Sequence, residues 1–123
     1  MPRLKLILAE DDPAMLPRFR SVLEDKVAEI AVVQSGWEML ALLSERTADL
    51  VVSDLRMPEP SGIQVLSLAR RLGFRVPFLL ITGAADDPAL RRRAATIGAR
   101  LLERPFSDDD LVAAIGTLGR ERT

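Results

Sequence analysis

Leu50–Gly62 reads LVVSDLRMPEPSG, and the order of residue types in it decides the fold. Leu50, Val51 and Val52 form a continuous apolar run, the mark of a strand covered on both faces. Asp54 places a single carboxylate where that strand must end. Pro58, Pro60 and Gly62 then force the chain to turn. Open α/β folds keep their chemistry in the crevice at the carboxyl ends of parallel strands. Asp54 is therefore expected to be the reacting residue.

Outward from this stretch, strand and helix signals alternate five times. The expected strands are Leu4–Ala9, Ile30–Val33, Leu50–Ser53, Pro77–Ile81 and Arg100–Leu102. Asp12–Pro13 reads as the cap and first-turn proline of a first helix, with Met15, Phe19 and Val22 on one face. Ser35 and Glu38 form a capping box before a helix carrying Leu40 and Leu43. Ser61 and Gln64 cap the third helix, with Ile63, Leu66, Ala69 and Leu72 inward and Gly73 as its stop. Asp87–Pro88 starts the fourth, with Leu90, Ala94 and Ile97 at core spacing and Gly98 at its end. Ser107 and the acidic turn Asp108–Asp110 suit the positive end of a last helix that buries Leu111, Ile115 and Leu118. Gly119 and the charged tail are expected to end the domain. Such an alternation argues an α/β fold, a (βα)5 doubly wound parallel sheet with helices on both faces. At 123 residues, 1–123 is expected to be a single domain.

Composition narrows the chemistry. Hydrophobic residues make up 48%, enough for a real core. With no cysteine, disulfides and thiolate metal sites are excluded. With no histidine, imidazole ligands and Ser–His nucleophile pairs are excluded. A net charge of −1 predicts no broad basic face for nucleic acid. The apolar runs are short and no signal peptide is visible, so no membrane association and a cytoplasmic setting are expected. Any bound metal must be a hard cation held by oxygen.

The strand ends gather a particular set of side chains. Strand 1 runs into Glu10, Asp11 and Asp12, strand 3 into Asp54, strand 4 into Thr82 and Gly83, and strand 5 into Arg104, Pro105 and Phe106. Clustered carboxylates repel unless a cation joins them, and Mg2+ (or Mn2+) characteristically takes one or two carboxylates and a phosphate oxygen. A carboxylate nucleophile, a metal, a hydroxyl and a cation are together what an aspartyl-phosphate mechanism requires.

EDDP at 10–13, SDLRMP at 53–58, ITGAAD at 81–86 and ERPF at 103–106 resemble, in order and spacing, the four signatures of bacterial response-regulator receiver domains. The resemblance covers nearly the whole chain. It implies a flavodoxin-like sheet of order 2-1-3-4-5 in a three-layer αβα sandwich. It also implies that Asp54 accepts a phosphoryl group from the phosphohistidine of a sensor histidine kinase or phosphotransfer protein, or from a small phosphodonor. Asp11 would bind Mg2+ directly, Glu10 through a water, and Asp54 and the Arg56 backbone carbonyl would complete the protein ligands. Thr82 would bond a phosphoryl oxygen and shift inward, and the Arg104–Pro105 peptide would be cis. The chain would be a switch, not a turnover enzyme. It would signal to an output domain or partner through helix 4, strand 5 and helix 5, as a monomer or a phosphorylation-dependent dimer.

Two positions depart from that pattern. Arg104 stands where the family has lysine, and the exchange is not conservative, because guanidinium is planar and bulkier. It can hold a phosphoryl group bidentately, or pair with Asp54 at rest and obstruct the metal. Leu101 stands at the family's switch aromatic and has no ring to flip. These departures motivate an alternative, a pseudo-receiver interaction module with little or no phosphorylation. A flavodoxin-like small-ligand binder would need a Ser, Thr or Gly loop after strand 1, where EDDP repels phosphate. Simpler readings stand beside the sharp ones: Asp12 as a plain helix cap, Arg104 snorkelling over Phe106, Arg91–Arg93 as a solvated helix face, Trp37 as packing, and Met15, Met39 and Met57 as fillers.

Overall fold

The computed structural model describes residues 4–10, 14–25, 27–45, 47–55, 57 and 60–121. Among them, strands and helices alternate as β1 (Leu4–Ala9), α1 (Leu16–Leu23), β2 (Val27–Val33), α2 (Gly36–Leu43), β3 (Leu50–Asp54), α3 (Gly62–Arg71), β4 (Phe78–Thr82), α4 (Pro88–Thr96), β5 (Arg100–Glu103) and α5 (Asp108–Glu121). The strands pair in parallel in the order β2-β1-β3-β4-β5. This is the flavodoxin-like α/β fold.

Strand periodicity divides the interior into two cores. Leu6 and Leu8 of β1, Leu50 and Val52 of β3, and Leu79 and Ile81 of β4 pack with Phe19 and Leu23 of α1 and with Leu111, Ile115 and Leu118 of α5. The alternate residues Ile7, Val51, Phe78 and Leu80 pack with Met39 and Leu43 of α2, Val65 and Leu66 of α3, and Ala94 of α4. Leu50, Val51 and Val52 are all fully buried, because a central strand has a helical layer on each side. Each such side chain stabilises the fold by about 1.5–3 kcal/mol.

Local chemistry sets the helix ends. The Ser61 hydroxyl accepts from the Gln64 N–H (3.3 Å), and the Gln64 side chain accepts from the Ser61 N–H (2.7 Å), a complete capping box. At α2, the Ser35 hydroxyl accepts from Glu38 N–H, but the Glu38 carboxylate reaches the Gln34 N–H instead of closing the box. The Asp87 side chain caps α4. Gly73 and Gly98 lie beyond α3 and α4 at φ of +88° and +101°, the left-handed geometry that ends a helix at little cost only for glycine.

Several expectations are corrected. β2 begins at Val27, because Val27 and Glu29 find partners on β1, with a register shift between them at Ala28. The described part of helix α1 begins at Leu16, with Pro17 in its first turn; Asp12 and Pro13 lie outside the described residues. Leu72 and Leu90 are exposed, because the outer faces of α3 and α4 have no layer beyond them. Trp37, expected to pack, is 67% exposed at the first turn of α2. Arg91 pairs with Glu103 at 2.7 Å across α4 and β5, so it is not simply solvated.

Candidate functional site at the carboxyl edge of the sheet

The register assembles the site. Ala9 pairs with Ser53, so the next residues, Glu10 and Asp54, stand beside each other at the ends of β1 and β3. Asp54 in turn pairs with Ile81, and Thr82 pairs with Glu103, which brings Thr82 and Arg104 to the same edge. Glu10 and Asp54 continue the parity of Leu8 and Val52, so their side chains leave the sheet on the α1–α5 side.

Arg104 joins the two acids. Its Nη2 lies 3.2 Å from Asp54 Oδ2 and 3.4 Å from Glu10 Oε2. The Glu10 side chain is 2% exposed, that of Asp54 15% and that of Arg104 35%, so the pair opens to solvent through the arginine. Both contacts exceed the ~2.7–2.9 Å of a tight charge-assisted hydrogen bond. The arginine is therefore a loose bridge and not a fully closed clamp. Arg104 does not lie over Phe106. That place belongs to Arg18, whose guanidinium sits 4.5 Å from the ring centroid.

Backbone bonds hold the edge. Arg104 N–H donates to the Thr82 carbonyl at 2.8 Å, and Leu55 N–H to the Ile81 carbonyl at 2.9 Å. The Arg104–Pro105 peptide is cis. The buried Ser53 hydroxyl donates to the Asp54 carbonyl at 2.9 Å. Gly62 is the first residue of α3, and a Cβ there would lie 2.6 Å from the Asp54 carbonyl oxygen and 2.8 Å from Ser53 Oγ. Only glycine lets α3 begin so close behind Asp54. Thr82 is buried at the end of β4. Leu101 is half-buried against the α2–α3–α4 core.

Sequence reasoning missed two contributors. Asp86 is a buried acid whose Oδ2 accepts from Gly83 N–H at 2.7 Å, while its own N–H donates to the Gly83 carbonyl at 3.0 Å, folding the β4–α4 loop into a tight turn next to Thr82. A carboxylate three residues after Gly83 was the available signal, masked by the adjacent Asp87–Pro88 cap. Arg18 donates from Nη2 to the Phe106 carbonyl at 2.6 Å and from Nε to Asp108 at 3.0 Å, fixing the segment after Pro105. Asp11, Arg56 and Pro58 lie outside the described residues. Among the described residues no group of three or more acids is placed to hold a metal; Glu10 and Asp54 supply two.

The sequence profile of the response regulator receiver domain matches residues 6–116. The chain belongs to this family. Its relatives include the transcriptional regulatory protein FixJ of Bradyrhizobium diazoefficiens, 32% identical over 117 residues that cover 94% of this chain and 57% of FixJ. The transcription factor SKN7 of Candida albicans is 27% identical over 93% of this chain and 20% of its own length. The chain thus spans about half or less of the length of several curated relatives. The crystal structure of FixJ-N superposes with a TM-score of 0.88 at 26% identity, covering 100% of this chain and 98% of that one. The receiver domain is a module of two-component signalling, and modules of this family are signalling parts, not turnover enzymes.

Proposed function

We propose that this receiver domain is a phosphoacceptor switch with Asp54 as the acceptor. The observation that carries this reading is the meeting of Asp54, Glu10 and Arg104 at one partly open edge, beside buried Thr82. Asp54 is solvent-accessible enough to meet a donor, and its backbone is fixed by β3 and the Ser53 hydroxyl. In the transfer, an Asp54 carboxylate oxygen attacks phosphorus. The bond to the donor breaks, from a phosphohistidine nitrogen or a small phosphodonor's leaving oxygen, and an acyl phosphate remains.

The donor set fits a hard divalent cation, because Glu10 and Asp54 offer only oxygen and converge on one cation already. Glu10, Asp11, Asp54 and the Arg56 carbonyl would hold Mg2+ or Mn2+, which would neutralise charge on the transferring oxygens. Thr82 donates its hydroxyl to a phosphoryl oxygen, and Arg104 turns from the carboxylates toward the new dianion. The added charge, about −1.5 to −2, biases a two-state loop. The setting is cytoplasmic, residues 1–123 act as one domain, and the donor is a sensor histidine kinase or phosphotransfer protein. The output domain or partner is reached through α4, β5 and α5.

The Arg104 bridge favours a second reading, a pseudo-receiver in which the guanidinium occupies the cation's place permanently. Intact-mass spectrometry after incubation with acetyl phosphate and Mg2+ separates the two. The phosphoacceptor reading expects a phosphate adduct on wild type and none on Asp54→Asn. An adduct gained only by Arg104→Lys would put the pseudo-receiver reading first.

A further inference from the structure

The charges of this chain are strongly segregated. Residues 62–102 carry seven arginines and two aspartates, whereas the rest of the chain carries ten basic and sixteen acidic residues. The positive part includes α3 and α4, on the face of the sheet opposite α1 and α5. Between these two helices lies a groove of about 160 Å³, lined by Ile63, Gln64, Ser67, Leu68 and Arg71 of α3 and by Arg93 of α4. Two guanidinium groups and no carboxylate face it.

Several arginines of the chain are held by protein acceptors, whereas those of the groove are not. Arg18, Arg70, Arg91 and Arg104 are each engaged with a carbonyl or a carboxylate. Among the described residues, Arg71 and Arg93 form no such bond. Beside them α3 exposes two leucines one turn apart, Leu68 at 38% and Leu72 at 57%. Leucines at that spacing, flanked by arginines, match an apolar residue flanked by carboxylates on a partner helix.

We propose that the α3–α4 groove is a docking site for an acidic amphipathic segment of a partner protein. Its leucine or aromatic anchors cover Leu68 and Leu72, and its carboxylates meet Arg71 and Arg93. Other occupants fit less well. The groove is smaller than the ~300–1,000 Å³ of small-ligand pockets. A second copy meeting it by two-fold symmetry would set arginine against arginine. Nucleic acid would use the arginines but gain nothing from two exposed leucines. The site is independent of the phosphoacceptor reading, since no residue of the Asp54 edge lines it.

The test uses a fluorescein-labelled, alanine-based helical peptide with two leucines four residues apart and glutamates one turn to either side. Binding is followed by anisotropy and by amide chemical shifts of the full chain. The expected result is saturable binding with shifts confined to Gln64, Ser67, Leu68, Arg71, Arg93 and their neighbours. Arg71→Glu/Arg93→Glu should weaken it at least about tenfold, with the melting temperature unchanged. Arg71→Gln/Arg93→Gln provides the same comparison should the charge reversal fail to fold. The proposal is overturned if a lysine or serine version of the peptide binds equally well, if no shifts arise at the groove, or if a short DNA duplex shifts the same amides more strongly.

Discussion

Removing the Arg104 guanidinium should destabilise the resting fold and tighten Mg2+ binding by the same factor. Arg104 Nη2 stands 3.2 Å from Asp54 and 3.4 Å from Glu10. Opposite unit charges about 4 Å apart attract by about 4 kcal/mol at an effective dielectric near 20. Arg104 is about a third exposed, so solvent screening and the cost of desolvating Glu10 remove roughly half. About 2 kcal/mol remains, within the range of a hydrogen bond to a charged group. A metal bound by the same carboxylates must displace the arginine and forfeit that amount. Arg104→Ala has already lost it, so its Mg2+ dissociation constant should fall about 30-fold. Without metal, its melting temperature should drop by roughly 6–10 °C, and saturating Mg2+ should close the gap. Calorimetric Mg2+ titration and thermal melts with and without metal measure both sides of the cycle, and Arg104→Lys should fall between. Unchanged or weaker Mg2+ affinity in Arg104→Ala, or a metal-free melt equal to wild type, would refute the competition.

Two further predictions test the frame of the site. Gly62→Ala drives a Cβ to 2.6 Å from the Asp54 carbonyl oxygen, so α3 must retreat; a loss of about 1–3 kcal/mol in urea unfolding is expected. Asp86→Ala releases the Gly83 amide from its 2.7 Å bond, which should cost about 1–3 kcal/mol and speed hydrogen exchange at Gly83 well beyond its effect on β1.

The fold was legible because its signals are local. Three consecutive β-branched or leucine side chains at Leu50–Val52 can be buried on alternating sides only in a covered strand. Ser35, Ser61 and Asp87 cap helices through hydrogen bonds two or three residues away. The helix surfaces were less legible. Leu72 and Leu90 fit the apolar spacing of α3 and α4, yet spacing cannot tell which edge of a stripe has a neighbour. Trp37 fails for the same reason. At the site, Glu10, Asp54, Thr82 and Arg104 were nameable because parallel strands deliver their last residues to one edge. Arg18 was not, because its bond to the Phe106 carbonyl spans 88 positions and depends on how α1 meets the loop before α5.

Arg104 ties four strands together through two kinds of bond. Its side chain spans the ends of β1 and β3, and its main-chain N–H holds the Thr82 carbonyl at the end of β4 while the residue itself follows β5. Both side-chain contacts come from one nitrogen, Nη2, so the bridge leaves the rest of the planar guanidinium fork unused by the two acids. On the phosphoacceptor reading, turning the guanidinium toward a phosphoryl group therefore pulls on the same residue that anchors Thr82. Leu101, packed against the α2–α3–α4 core, has no ring that could alternate between an inward and an outward rotamer. The movement must then pass through the β4–α4 loop, where Asp86 grips Gly83 from both its carboxylate and its amide. On that reading the loop joins a resting latch, the Asp86–Gly83 bonds, directly to Thr82 through the chain.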